Sequence, residues 1–374
     1  MIIVAYLYNT NGMASWCWEA AHALAEAGES VTLVCAPNVD IPATGAINVL
    51  RFAPPEVIAS GNKISREFRR LSGKSSEFVY HLHNYLLQVG ITPSAYFLNQ
   101  SDLLSMHVEV PQYVVAWAYP TSLIGYLSKI VVLSGSMIST NTIRVAFDAV
   151  GWWRKDWFAY RNATSILAVT KQLQASLAAA GVTATAVHPG TAIRSDASRP
   201  NRKKTHKILI CAQDLEDPRK RTTFLLNALM KLSASEYSLT LIGHVTDDFR
   251  RRTEHGYFPV TFVGPLPRNE VQLLMAEHDI FLFGSCLDDW GYVLVEAMSQ
   301  GLCVVAPKLS PFDEIVGDAG VLYSPYSEED LCLKLGALLH KNLHQIHEDA
   351  QARASELFSR RAFSHTLLKV LPAH

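Results

Sequence analysis

The chain has 374 residues, 49% of them hydrophobic and 18% charged, with a formal net charge of −1. That balance excludes a disordered chain and gives no bulk attraction to nucleic acid or anionic lipid, while the length suits two domains of roughly 150 to 200 residues. Six cysteines, at 17, 35, 211, 286, 303 and 332, form neither a C-x-x-C pair nor a disulfide framework, as expected of free thiols in a reducing compartment.

The opening, MIIVAYLY, has no basic region before its apolar run and meets the turn Asn9-Thr10-Asn11-Gly12 at once. It reads as a first strand, Ile2 to Tyr6, and not as a signal peptide, so the cytosol is the expected location. A helix to about Ala27 and a strand over Ser30 to Cys35 complete a βαβ opening. After Ser101 to Val108, the stretch Tyr113 to Leu133 is apolar enough to raise a transmembrane question, but Pro120, Thr121, Ser122, Gly125, Ser128 and Lys129 interrupt it. A helix followed by a buried strand, Ile130 to Leu133, is expected, with room for a peripheral contact at the inner face of a membrane. Further on come a Trp-rich helix near residues 152–160, a strand at Ser165 to Val169, and a helix from Lys171 to Ala180 closed by Gly181.

The polar, aperiodic stretch Thr191 to Thr205 reads as a linker, giving domains at 1–195 and 206–350. The second domain runs strand Lys207 to Ala212, helix Thr222 to Leu232, strands Ser238 to Ile242 and Val260 to Val263, and helix Asn269 to Glu277. It closes with strands at Ile280 to Phe283 and Cys303 to Ala306, a helix near Asp313 to Val316 and another at Ser327 to Leu339. Alternating strands and helices imply an α/β fold of two Rossmann-like domains, with ligands at the carboxyl ends of the strands.

Two segments carry chemistry. In DIFLFGSCLDDWGYVLVEAMSQG (279–301), a strand feeds a helix through a polar loop, so helix-start amides and the positive end of the dipole are offered to an anion. Asp288 precedes that helix and Glu296 lies eight positions on, just over two turns in. One carboxylate can then sit near a bound phosphate while the other faces the pocket wall, a combination suited to a sugar or ribose carried on phosphate. In CAQDLEDPRKRTTFLLNAL (211–229), Arg219, Lys220 and Arg221 stand at a helix start, where three cations oppose the dipole unless a polyanion offsets them.

Asp288, Gly291 and Glu296, with the trailing EAMSQGLCVVAP, resemble the E-x7-E element of retaining GT-B glycosyltransferases, particularly glycosyltransferase family 4. The resemblance implies a GT-B fold, two facing Rossmann-like domains with a cleft between them, the N-terminal one on the acceptor side and the C-terminal one binding the nucleotide sugar. A terminal helix, about 353–374, is implied to cross back to the first domain. By the same resemblance Asp288 contacts the donor sugar, Glu296 holds the nucleotide ribose, and the backbone from Trp290 through Gly291 to Tyr292 binds the pyrophosphate. DPRKR resembles the loop whose Arg and Lys neutralise the donor diphosphate, which assigns Lys220 and, more weakly, Arg219.

Gly12, beside Asn11, stands where the family carries a Gly-Gly pair near donor phosphate and acceptor. Gly243 with His244, and Leu266 in Gly264-Pro265-Leu266, match loops that line the nucleotide, and His107 matches a residue able to face the cleft. Three departures stand out: Asp288 is one methylene shorter than the usual Glu, Asp289 occupies a position where Gly is common, and Ser134-Gly135-Ser136 replaces a family His. His81 and His83 form an isolated H-x-H, so no metal site is expected. The implied activity is a metal-independent, retaining hexosyl transfer from a nucleoside-diphosphate sugar, UDP-glucose or a related UDP-hexose first, to a hydroxyl acceptor, with no separate cofactor. Saccharide, lipid-linked sugar and small molecule all stay open as acceptors. The competing reading is a non-catalytic GT-B subunit that binds nucleotide or a partner.

Overall fold

In a computed structural model the described residues are 2–6, 12–35, 47–51, 95–99, 130–134, 165–179, 183–193, 205–256, 260–286, 288 and 290–370. The chain divides into two compact units, Met1–Gly190 with Arg360–His374, and Thr191–Ser359.

The first unit holds a seven-stranded parallel sheet of β1 (Ile2–Tyr6), β2 (Val31–Cys35), β3 (Asn48–Arg51), β4 (Ala95–Asn99), β5 (Ile130–Ser134), β6 (Ser165–Ala168) and β7 (Thr185–Ala186). Their spatial order is β3-β2-β1-β4-β5-β6-β7. Helix α1 (Gly12–Glu26) connects β1 to β2, and its buried residues include Glu19, Leu24 and three alanines, Ala20, Ala21 and Ala23, whose small side chains let the helix lie close to its neighbours. Helix α2 (Lys171–Ala179) follows β6, and Thr170 starts it by accepting the Leu173 amide at 2.9 Å. Segments 101–108, 113–129 and 152–160, and with them His81, His83 and His107, lie outside the described residues.

The second unit holds a six-stranded parallel sheet in the order β10-β9-β8-β11-β12-β13. In chain order the elements are β8 (His206–Asp214), α3 (Thr222–Met230), β9 (Tyr237–His244), α4 (Asp247–Gly256), β10 (Val260–Gly264), α5 (Arg268–Met275) and β11 (Ile280–Leu282). They continue as α6 (Tyr292–Ser299), β12 (Cys303–Pro307), α7 (Phe312–Val316), β13 (Val321–Tyr323), α8 (Glu328–Leu339) and α9 (His344–Phe358). β11 has no exposed residue, because β8 and β12 flank it and helices cover both faces of a parallel sheet. Its unbroken apolar run is the sequence signature of that burial.

Several elements escape the sequence pattern, β3 and β4 of the first sheet among them. α4, DDFRRRTEHG, is charged nearly all round and buries only Phe249 and Thr253, so it has no apolar stripe to announce it. β13 has three residues, too few for a period, and adds a strand after Cys303–Pro307. In place of one helix over the last stretch there are two, α9 and α10 (Arg360–Val370), because Ser359 turns extended to pair in parallel with Thr191. Among the described residues no helix is long and apolar enough to cross a membrane.

α10 packs on α1 within the first unit, burying Phe363 and Leu367. Arg360 anchors it: its Nε donates to Glu19 at 2.6 Å and its Nη1 to Glu26 at 2.8 Å. Glu19 is 2% exposed whereas the Glu26 side chain is 54% exposed. A buried carboxylate that loses its partner is left uncompensated, at about 3–5 kcal/mol, while an exposed pair contributes about 1 kcal/mol or less. Arg360→Ala is therefore expected to lower stability by about 3 kcal/mol in urea unfolding, and Glu26→Ala by under about 1 kcal/mol; equal losses from the two would mean that Glu19 does not depend on Arg360.

Candidate active site

The strand order of the second sheet reverses between β8 and β11. β8 leads through α3 to one side of the sheet order and β11 leads through α6 to the other, so the loops at their carboxyl ends diverge and open a crevice. The described residues of the two loops are 214–221, and 283–286, 288, 290 and 291. The two loops approach at backbone level: the Cys286 amide donates to the Arg219 carbonyl at 2.9 Å, and a Cβ on Gly284 would lie 2.6 Å from the Lys220 carbonyl oxygen. Only glycine permits that approach.

Local bonds shape the first loop. The Asp214 carboxylate accepts the Glu216 amide and Asp217 accepts the Arg219 amide, both at 2.9 Å, while Glu216 accepts the Thr246 amide at 2.6 Å. These acidic side chains brace the turn. The cations of the 219–221 run then separate. Arg219 donates from Nε and Nη2 to Asp217, at 2.6 Å for Nη2, and this hydrogen-bonded guanidinium holds the Asp217 carboxyl below the usual carboxylate range. Arg221 adopts a left-handed backbone, φ 54°, at the N-cap of α3, donates to the Pro325 carbonyl and lies over the Phe224 ring at 4.0 Å. Lys220 reaches the opposite loop, its Nζ 3.1 Å from Asp288 Oδ2.

Asp288 and Glu296 thus meet different cations. α6 is buried through Leu294, Val295, Glu296, Ala297, Met298 and Ser299, so Glu296 is only 6% exposed. A carboxylate so placed needs a countercharge. Arg268, the first residue of α5, supplies it: Nε donates to Glu296 Oε1 at 2.5 Å and Nη2 to Thr191 Oγ1 at 3.0 Å. The Cys211 thiol, at the end of β8, is pushed up to about 12 by burial first and by the Glu296 charge second. It stays protonated at neutral pH.

Gly291 caps α6 with φ 103°, a left-handed conformation suited to glycine, and delivers the helix start to the crevice. The first amides of a helix have no partner within it and point out along its axis. The Trp290 side chain is 3% exposed and packs edge-on against Phe358, ring centroids 5.5 Å apart, so it fixes the approach to α6 through the core. Tyr292 is the first residue of α6.

Gly243 and His244 end β9 next to the β8 end, where Leu215 donates to the His244 carbonyl at 3.0 Å. A side chain at Gly243, φ 141°, would overlap the Ala212 carbonyl oxygen. Leu266 is half-buried in the turn between β10 and α5. The structure therefore brings Lys220 and Asp288 together just before α6, whose start Trp290, Gly291 and Tyr292 form, and places Glu296 one turn into that helix on Arg268, with Gly243 and His244 at the neighbouring β9 end. Gly12 begins α1 in the other unit, and Asn11 and His107 lie outside the described residues.

Arg268 and Thr191 are the site residues that motif reading missed. Arg268 carried a usable signal, since a cation on the first residue of a helix opposes the dipole just as Arg219 to Arg221 do, and each such residue calls for an anion. Thr191 carried none, because its partner is remote in sequence.

Residues 206–341 match the family model described as Glycosyl transferases group 1. Sulfoquinovosyl transferase SQD2 of Arabidopsis thaliana is 34% identical over 110 residues, covering 28% of this chain and 22% of that protein. O-antigen chain mannosyltransferase B of Escherichia coli is 31% identical over 119 residues, covering 29% of this chain and 31% of that protein. The matched stretches thus span less than a third of either relative. Among solved structures, sucrose-phosphate synthase from Thermosynechococcus elongatus superposes with a TM-score of 0.69 at 17% identity, covering 99% of this chain and 98% of that one. WaaG, a glycosyltransferase involved in lipopolysaccharide biosynthesis, gives 0.64 at 15% identity over 100% of both chains. HepE from Anabaena, in complex with UDP and glucose, gives 0.65 at 16% identity over 99% of both. Residues 206–341 thus match a group 1 glycosyltransferase model, and the likeness to the solved structures shows that the fold is that of GT-B glycosyltransferases.

Proposed function

We propose that this protein is a retaining hexosyltransferase that takes a hexose from a nucleoside-diphosphate sugar, UDP-glucose or a related UDP-hexose first, and transfers it to a hydroxyl acceptor in glycan, glycolipid or glycoside assembly. The observation that carries the reading is the Lys220–Asp288 pair beside the Gly291-capped start of α6, the helix that also holds Glu296, at the switch point of the second sheet. A UDP-and-glucose complex of HepE on the same fold, and the sugar-transfer activities named for the curated relatives, support the class of substrate.

In this reading the amides at the start of α6 and the Lys220 ammonium neutralise the departing diphosphate, with neither a metal ion nor another cofactor required. Lys220 must then exchange Asp288 for phosphate oxygen. Asp288, released from the ammonium, accepts from a donor-sugar hydroxyl, and Glu296 accepts from the ribose hydroxyls. The bond from the anomeric carbon to the phosphate oxygen breaks with its electron pair going to the diphosphate. The acceptor oxygen bonds to the same face of that carbon, and its proton passes to the leaving phosphate. The peripheral membrane contact left open by the sequence would suit a lipid-linked acceptor.

A thermal-shift screen of nucleoside diphosphates and sugar nucleotides tests the reading directly, because a ligand that binds only the native state raises apparent stability. At least one is expected to raise the melting temperature, and Glu296→Gln is expected to weaken that ligand by about 1.5–3 kcal/mol; unchanged affinity would remove Glu296 from the site. Lys220→Ala is expected to depress kcat more than donor affinity, since the ammonium acts on charge that develops as the diphosphate leaves. A rise in KM with kcat intact would instead mark uniform binding. Asp288→Glu is expected to alter the order of kcat/KM among UDP-hexoses while leaving UDP affinity nearly unchanged, and Asp288→Ala to lower turnover with all of them; one donor profile shared by wild type and both variants would mean that Asp288 does not touch the sugar.

A further inference from the structure

We infer that Arg268 is a positioning residue that sets the ribose selectivity of this site, by holding the Glu296 carboxylate in one orientation while its own fork is anchored on Thr191. The inference rests on the assignment of Glu296 to the nucleotide ribose made above. It adds a residue from a different loop, the turn after β10.

The geometry has three parts. Glu296 lies in a helix buried on nearly all sides, where an unpaired carboxylate would protonate or rotate to another donor. Arg268 cannot lose its proton, so the countercharge is permanent. Its planar fork is engaged at two ends, Nε on Glu296 Oε1 at 2.5 Å and Nη2 on Thr191 Oγ1 at 3.0 Å, and Thr191 is itself 1% exposed. Thr191 is fixed in turn, its amide donating to the Phe358 carbonyl at 2.9 Å and its backbone pairing with Ser359. The carboxylate plane is therefore set by a chain of contacts that ends in backbone.

A lysine at position 268 could supply charge but not both ends of the fork. Ribose hydroxyls are accepted strongly only by an ionised carboxylate already aimed at them, so the contribution of those hydroxyls to binding should depend on Arg268, whereas base and phosphate contacts should not.

The test compares UDP with 2′,3′-dideoxy-UDP, and GDP with 2′,3′-dideoxy-GDP, by titration calorimetry on the full chain. The ratio of dissociation constants, dideoxy over ribo, reads the hydroxyl contribution alone. In the wild type the better-binding nucleotide should show a ratio of about ten or more, the strength of a charge-assisted bond. Arg268→Ala should bring that ratio close to one while the dideoxy affinity stays within about two-fold. Thr191→Val and Arg268→Lys should each lower it in part, and they decide the matter if Arg268→Ala does not fold. A wild-type ratio of one for both nucleotides would overturn the assignment of Glu296, and this inference with it. A large wild-type ratio retained in all three variants would overturn the role of Arg268 alone.

Discussion

At the carboxyl ends of β8 and β11, neighbouring strands send the chain in opposite directions along the sheet, and the two loops that leave there meet at backbone level. Gly284 lies against the Lys220 carbonyl, and Cys286 donates to Arg219. Much of the rest follows from that approach. With the loops joined at backbone level, a lysine at the end of one can reach an aspartate at the end of the other, and α6 begins where both can meet a ligand. A bulkier residue at 284 would separate the loops before any side chain could bridge them.

Charge compensation then sorts the ionisable residues by burial. Asp217 and Arg219 neutralise each other at an exposed turn, where pairing is cheap and chiefly shapes the loop. Lys220 and Asp288 are part-exposed, 25% and 33%, so their pair can be exchanged for contacts with a ligand at modest cost. Glu296 has no such freedom: set in a buried helix, it needs a fixed cation, and Arg268 is held for that purpose from a third loop. One acid of the element is thus in an exchangeable pair and the other in a fixed one.

The same logic recurs away from the site. Arg360 compensates the buried Glu19 and so ties α10 to α1. Arg353, on α9, donates to the Ile315 and Glu314 carbonyls, ending the short α7 that follows β12. Between them, at Ser359, the helical run breaks because the backbone there pairs with Thr191, the residue whose hydroxyl also holds Arg268.

Elements with a long apolar period or an uninterrupted apolar run were legible in the sequence by itself. β11, β12, α3 and α8 lie within a few residues of their expected bounds, because burial on one stripe or on both faces is written into the order of residues. The position of Glu296 was read less well: Asp288 lies outside α6, so Glu296 is one turn into that helix and not two. α4 and β13 were not legible, since a charged helix and a three-residue strand are held by neighbours and carry little pattern of their own. The partners of the charges were the least legible. Nothing local distinguishes Arg219, which folds back on Asp217, from Lys220, which crosses to Asp288, or announces that Arg268 will meet Glu296. Those choices depend on which loops the sheet order brings side by side and on how much water each acid loses there, quantities that exist only once the chain is folded.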